Sequence, residues 1–170
     1  MSDETFIRKP NFIFESKSTE FKDMNLGIER MSQAINAMGN PCKKIPAIHI
    51  AGTNGKGSIA AFVNSVLSLV NIKTGVTTSP HLVNWFERIC INKTQISKEE
   101  FQALSLNLDP IAKKYGLTPF EYIICMALKY FNSKEVELLV LEVGLGGRLD
   151  ATTAHKYRPI IAFGAVGLDH

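Results

Sequence analysis

Apolar positions change period several times along the chain, and each change marks an element. Leu26, Met31, Ala34, Ile35 and Met38 recur near the helical period until Gly39-Asn40-Pro41 interrupts them, which predicts a helix over about 26–38. Pro46 to Ala51 is an apolar run too short for a helix and closed by Gly52, the signature of a buried strand. Beyond the following glycines, Ile59, Phe62, Val63, Val66, Leu67 and Val70 fall on one face of a second helix. Lys73 to Thr78 reads as a strand, Ser79 to Trp85 as a loop, and Glu87 to Ile91 as an alternating strand. Ser97 with Glu100 and Thr118 with Glu121 each fit the capping box, so helices are predicted to start at both, separated near Gly116. Glu137 to Val143 is almost wholly apolar and branched, the pattern of a central parallel strand covered on both faces, and Pro159 to Val166 supplies another strand. Strands alternating with helices predict an α/β fold with a mainly parallel central sheet flanked by helices. Residues 1–22 carry Phe6, Phe12, Phe14 and Phe21 without a period and are expected to form an arm or a short helix.

The loop between the first strand and its helix is Gly52-Thr53-Asn54-Gly55-Lys56-Gly57-Ser58. Its glycines let backbone amides converge at a helix start, where the orphan N–H groups and the helix dipole favour phosphate oxygens, and Lys56 adds a positive charge. This strand, glycine loop and helix predict a P-loop type of nucleotide-binding domain. The strict phosphate-loop pattern is incomplete, because Ile50 stands in place of its first glycine and Gly57 in place of the hydroxyl that binds magnesium. Ser58 and Ser79 are the two candidates for that hydroxyl.

Glu142 stands at the carboxyl end of the central apolar strand, on the edge where open α/β sheets bind ligands. A buried lone carboxylate is costly unless a cation relieves it, which makes Glu142 a metal-ligand candidate. The run Gly144-Leu145-Gly146-Gly147-Arg148-Leu149-Asp150 follows as a second glycine-rich loop.

Composition narrows the classes. The 170 residues suit one soluble domain, and the net charge of +3 is spread over 19 basic and 16 acidic residues, giving no reason to expect nucleic acid or a membrane surface. Three widely spaced cysteines form neither a zinc pattern nor a disulfide framework, and Met1 to Lys9 is polar, so a cytoplasmic protein is expected.

Taken together, these motifs resemble the folylpolyglutamate synthase and dihydrofolate synthase family, a branch of the ligases that includes the Mur peptidoglycan ligases. The resemblance rests on Gly52 to Ser58, on Ser79-Pro80-His81-Leu82 with Phe86-Glu87-Arg88, on Thr118-Pro119-Phe120-Glu121, on Glu142 to Thr152, and on Gly167-Leu168-Asp169-His170. It covers about residues 24 to 170. The first motif is shared with the Mur ligases, whereas the Ser-Pro-His-Leu loop and the run from Glu142 belong to the folate branch.

The resemblance implies an ATP- and Mg2+-dependent ligase that joins L-glutamate to a folate or dihydropteroate carboxylate through an acyl phosphate. Thr53, Asn54, Gly55, Lys56, Gly57 and Ser58 would hold ATP, and Ser79, Glu142 and His170 the metal, with Lys56, Glu142 and His170 the catalytic groups. The pterin-bearing substrate would lie against Met24, Asn25, Leu26, Thr118, Pro119, Phe120, Glu121, Leu149, Asp150 and Ala151. Two positions depart from the family, Thr153 where asparagine is usual and Asn25 where aspartate is common. The larger departure is length. Residues 23–170 are expected to form an incomplete Mur-ligase-like central ATP-binding domain without the carboxyl-terminal glutamate domain, inactive in isolation and monomeric when full length. A Mur-type amino acid ligase, a non-catalytic nucleotide-binding module and a switch-type NTPase are the rival readings.

Overall fold

The computed structural model describes residues 27–167. In chain order the elements are α1 (Ile28–Ala37), β1 (Ala47–Ala51), α2 (Lys56–Leu69), β2 (Thr74–Thr77), a 3-10 turn (Trp85–Arg88), β3 (Ile89–Ile91), β4 (Thr94–Gln95), α3 (Lys98–Tyr115), α4 (Pro119–Ser133), β5 (Leu138–Glu142), a second 3-10 turn (Ala151–Ala154) and β6 (Ile160–Phe163). The six strands form one sheet in the order β4-β3-β2-β5-β1-β6. β5 pairs in parallel with both β1 and β2, and β1 in parallel with β6, while β2–β3 and β3–β4 are antiparallel. The apolar run at 138–142 is therefore the central strand that its composition predicts, and the sheet is mixed with a parallel centre.

Side chains alternate between the faces of a strand, and the two faces are covered unequally. Ala47, Leu139 and Leu141 belong to the larger core, with Met31, Ala34 and Ile35 of α1, Phe101 and Leu108 of α3, and a nearly continuous buried stretch of α4 from Glu121 to Leu128. Ile50, Val76 and Val140 face the other way, onto Ala60 of α2. Both capping boxes form: the Ser97 and Thr118 hydroxyls accept from the amides of Glu100 and Glu121, whose carboxylates accept in return. Gly116 closes α3 in the left-handed conformation at φ +61°. The three cysteines are free, and burial pushes the Cys42 thiol up to about 12. No helix among the described residues is long and apolar enough to cross a membrane.

Two expectations change. The strand predicted over Glu87–Ile91 is only Ile89–Ile91, preceded by the turn at Trp85–Arg88. The cause is hydrogen bonding that alternation cannot reveal. The Asn84 side chain accepts from the Phe86 amide, and the Glu87 carboxylate gathers the amides of Leu82, Val83 and Asn84 at 2.7–2.9 Å, curling the backbone. The apolar face predicted for α2 is also only partly covered. Ile59, Val63 and Leu67 pack on the sheet, but Phe62 is 75% exposed and Val66 and Val70 are exposed with it. Edge strand β6 is similarly bare at Ile160, Ile161 and Phe163. Residues 1–22 lie outside the described residues.

Candidate nucleotide and metal site

The loop after β1 turns through Gly52 at φ +136° and Gly55 at φ +81°, backbone that favours glycine, and α2 starts at Lys56. At Gly52 a side chain would also meet the backbone of Gly164 at 3.1 Å. A strap formed by residues 164–167 fixes the loop's shape. The amides of Thr53 and Asn54 donate to the Ala165 carbonyl at 2.8 and 3.2 Å, and the Thr53 hydroxyl donates to the Gly167 carbonyl at 3.0 Å. Two loop amides are therefore engaged, and the first-turn amides of Lys56, Gly57 and Ser58 are the helix-start donors that have no acceptor within the helix. The Lys56 ammonium donates to the carbonyls of Gly52 and Thr53 at 2.9 and 3.1 Å, folding back over its own loop.

Glu142 closes β5 and is 3% exposed. Its Oε2 accepts from the Ser79 amide at 3.0 Å, at the end of neighbouring β2, where Ser79-Pro80 is a cis peptide. A Cβ built on Gly57 would lie 3.8 and 3.9 Å from the two carboxylate oxygens, so the acid faces the start of α2. Burial raises its pKa above the ordinary carboxylate value, against the Ser79 amide, Lys56 and Arg88, which lower it. A carboxylate so desolvated suits a divalent cation. No three His, Cys, Asp or Glu side chains converge among the described residues. A magnesium ion here would take its remaining ligands from phosphate oxygens, a hydroxyl such as Ser79's and water, its usual preference.

Arg88 was not singled out for the site by sequence. It is half-buried, electrostatically coupled to Glu142, and its Nε donates to His81 Nδ1 at 2.8 Å while its guanidinium lies 4.5 Å over the Trp85 ring. His81, itself 4.6 Å from Trp85, thus orients the arginine.

The glycine-rich loop after β5 is organised by Asp150. Its Oδ2 accepts the amides of Gly144 and Leu145 at 2.9 and 3.0 Å, and its Oδ1 the amide and hydroxyl of Thr152. The far end of the loop is tied by the Thr153 hydroxyl to the Gly147 carbonyl at 2.7 Å. Phe120 packs on this loop so closely that a Cβ on Gly144 would sit 2.7 Å from its ring. Ala151 is buried, and Leu149 is 43% exposed. Thr118 and Glu121 serve the helix cap, and the buried Glu121 carboxylate also takes Arg30 Nε at 2.9 Å through each oxygen, tying α4 to α1. Phe120 and Asp150 therefore share one surface at Gly144, while Glu121 faces α1. Met24, Asn25, Leu26 and His170 lie outside the described residues.

Between the two glycine loops lies a cavity of about 360 Å³, with Gly52, Thr53 and Lys56 on one side and Gly144, Leu145 and Gly146 on the other. Strand-end loops on the carboxyl side of a parallel sheet are the expected place for a ligand.

No protein-family model matches the chain. It is 42% identical over 131 residues to the dihydrofolate synthetase of Saccharomyces cerevisiae, a match that takes in 76% of this chain and 31% of that protein. The crystal structure of Mycobacterium tuberculosis folylpolyglutamate synthase complexed with ADP and AMPPCP superposes with a TM-score of 0.82 at 34% identity, over 85% of this chain and 34% of that one. The bifunctional folylpolyglutamate synthase/dihydrofolate synthase of Yersinia pestis, complexed with AMPPNP and Mn ion, superposes with a TM-score of 0.79 at 32% identity, over 92% and 37%. The chain spans about a third of the length of the curated relatives it matches. Over that span, the chain belongs to the folylpolyglutamate synthase and dihydrofolate synthase family.

Proposed function

We propose that this chain carries the nucleotide-binding part of an ATP-dependent ligase that couples L-glutamate to the carboxylate of a folate or dihydropteroate. The observation that carries the reading is the position of Glu142. The acid that ends the central strand lies against the helix start beside Lys56, with the Ser79 amide on its other side.

In this reading Lys56 leaves its own carbonyls to meet the outer phosphates of ATP, while the amides at the start of α2 hold their oxygens. Glu142, Ser79 and His170 would hold Mg2+, which when bound would neutralise phosphate charge. The γ-phosphoryl group passes to the substrate carboxylate, giving an acyl phosphate and ADP. The glutamate amine then attacks the acyl carbon, and inorganic phosphate leaves. The chain's own contribution is positioning and charge, which in a water-poor site are worth far more than in bulk. The pterin end is assigned to Met24, Asn25, Leu26, Thr118, Pro119, Phe120, Glu121, Leu149, Asp150 and Ala151, with Phe120 the stacking ring.

Calorimetry of the chain with ATP and Mg2+ tests the reading: binding by wild type, and its loss in Lys56→Met, is the expected result. Absence of Mg2+-dependent ATP binding would overturn it. Competition by dihydropteroate or tetrahydrofolate but not by a UDP-linked precursor separates the folate branch from a Mur-type ligase, and ATP binding with no folate binding would favour a non-catalytic nucleotide module.

A further inference from the structure

We infer that His49 is a positioning residue for the cavity, acting through a buried latch, His49–Thr152–Asp150, that sets the glycine-rich wall at Gly144 and Leu145. The inference rests on the reading of that cavity as a nucleotide site.

His49 is at the middle of β1 and is 4% exposed, on the strand face shared with Ala47 that looks onto the larger core. Its Nε2 lies 2.7 Å from the Thr152 hydroxyl, and its Nδ1 lies 3.3 Å from Nη1 of Arg158. Thr152 is fully buried, and its hydroxyl donates to Asp150 Oδ1. A hydroxyl has one hydrogen, so with that hydrogen committed to the carboxylate the oxygen can only accept from His49. This fixes His49 as the neutral tautomer with its proton on Nε2, leaving Nδ1 to accept from the arginine, the assignment in which each of these three contacts pairs one donor with one acceptor. Burial, with Arg158 and His155 nearby, holds its pKa down at about 4, which agrees.

The latch ends in the cavity. The other oxygen of Asp150 takes the amides of Gly144 and Leu145, both wall residues facing the phosphate loop. The carboxylate accepts four hydrogen bonds in all, and its placement depends on Thr152, which is oriented in turn by the imidazole. A residue more than 100 positions from Thr152 in sequence thereby fixes a loop it never touches.

The test measures amide hydrogen exchange by NMR and Mg2+-ATP affinity by calorimetry in the 170-residue chain. Thr152→Val and His49→Asn remove the hydroxyl and the Nε2-like donor. Thr152→Ser and His49→Gln retain a hydroxyl and a donor at comparable reach. Losing one net hydrogen bond of about 1.4 kcal/mol is roughly tenfold. The disrupting pair is expected to speed Gly144 and Leu145 exchange by about that factor relative to Val76 and Val140, and to weaken ATP similarly, with the retaining pair close to wild type. Having two disrupting variants preserves the test if one fails to fold. Equal acceleration at Val76, Val140 and the loop would reduce the latch to ordinary core stability, and unchanged loop exchange would overturn it. Should wild type bind no nucleotide, the cavity reading falls while the exchange arm still decides the latch.

Discussion

Ser79 and Glu142 meet across the ends of neighbouring parallel strands, the serine amide donating to the buried carboxylate at 3.0 Å. The pairing is a by-product of register. Thr77 of β2 stands beside Leu141 of β5, so both chains run out of the sheet at the same level and the residues that follow face one another.

Glu142→Gln keeps the shape and a hydrogen-bond acceptor while removing a desolvated charge. Its metal-free stability is expected to equal or exceed that of wild type. The change appears with ligand: at a hundredfold excess of Mg2+-ATP over Kd, wild type gains about 2.7 kcal/mol, and the variant should gain only a small part of that. Thermal melts with and without nucleotide, in EDTA and in Mg2+, make the comparison.

His49 gives a pH dependence whose sign can be worked out. Its pKa falls from 6.5 in the unfolded chain to about 4 in the fold, so between those values the unfolded state binds more protons. Stability therefore falls as pH drops from 6.5 toward 4 and levels off below. At roughly 1.4 kcal/mol per unit the loss is at most about 3 kcal/mol. His155, also lowered by burial, adds in the same direction. Urea denaturation from pH 7 to 4 should show the slope, and His49→Gln should flatten it to the share left by His155.

Much of this architecture could be read from local sequence. Thr118 and Glu121 announce their helix because both partners of a capping box lie within one turn, and the apolar run ending at Glu142 announces its own centrality. The Asp150 cradle was within reach too, since its acceptors serve amides at positions 144, 145 and 152, a short-range pattern of aspartate in turns. His49 was not legible, because its partners Thr152 and Arg158 come from the opposite end of the chain. Nor was the outward turn of Phe62, since periodicity defines an apolar face without saying what covers it.

Gly144→Ala tests how tightly the glycine wall is packed. The new methyl would lie 2.7 Å from Phe120 Cζ and 3.2 Å from Asp150 Oδ2, so the loop or the ring must move. A cost of about 1–3 kcal/mol is expected. Adding Phe120→Leu should recover part of it, and simple additivity in the double-mutant cycle would show that ring and loop do not oppose each other.

Glu121→Gln separates scaffolding from substrate contact. The carboxylate accepts both Arg30 and the Thr118 amide, so neutralising it should cost about 2 kcal/mol, more than the roughly 1 kcal/mol of Thr118→Ala, which removes the cap alone. Chemical denaturation reads both. If pterin affinity also falls by more than the loss of folded protein explains, Glu121 touches ligand as well as Arg30.

The strap of residues 164–167 makes the phosphate loop and the outermost strand a single mechanical part. Gly164 passes so near Asn54 that a methyl group there would lie 2.7 Å from its carbonyl oxygen, and Thr53 is pinned to Ala165 and Gly167. Arrival of a triphosphate is therefore expected to tug the margin of the sheet, and an environment-sensitive dye replacing the exposed side chain of Ile161, on the same strand but outside the cavity lining, would brighten or dim in step with occupancy.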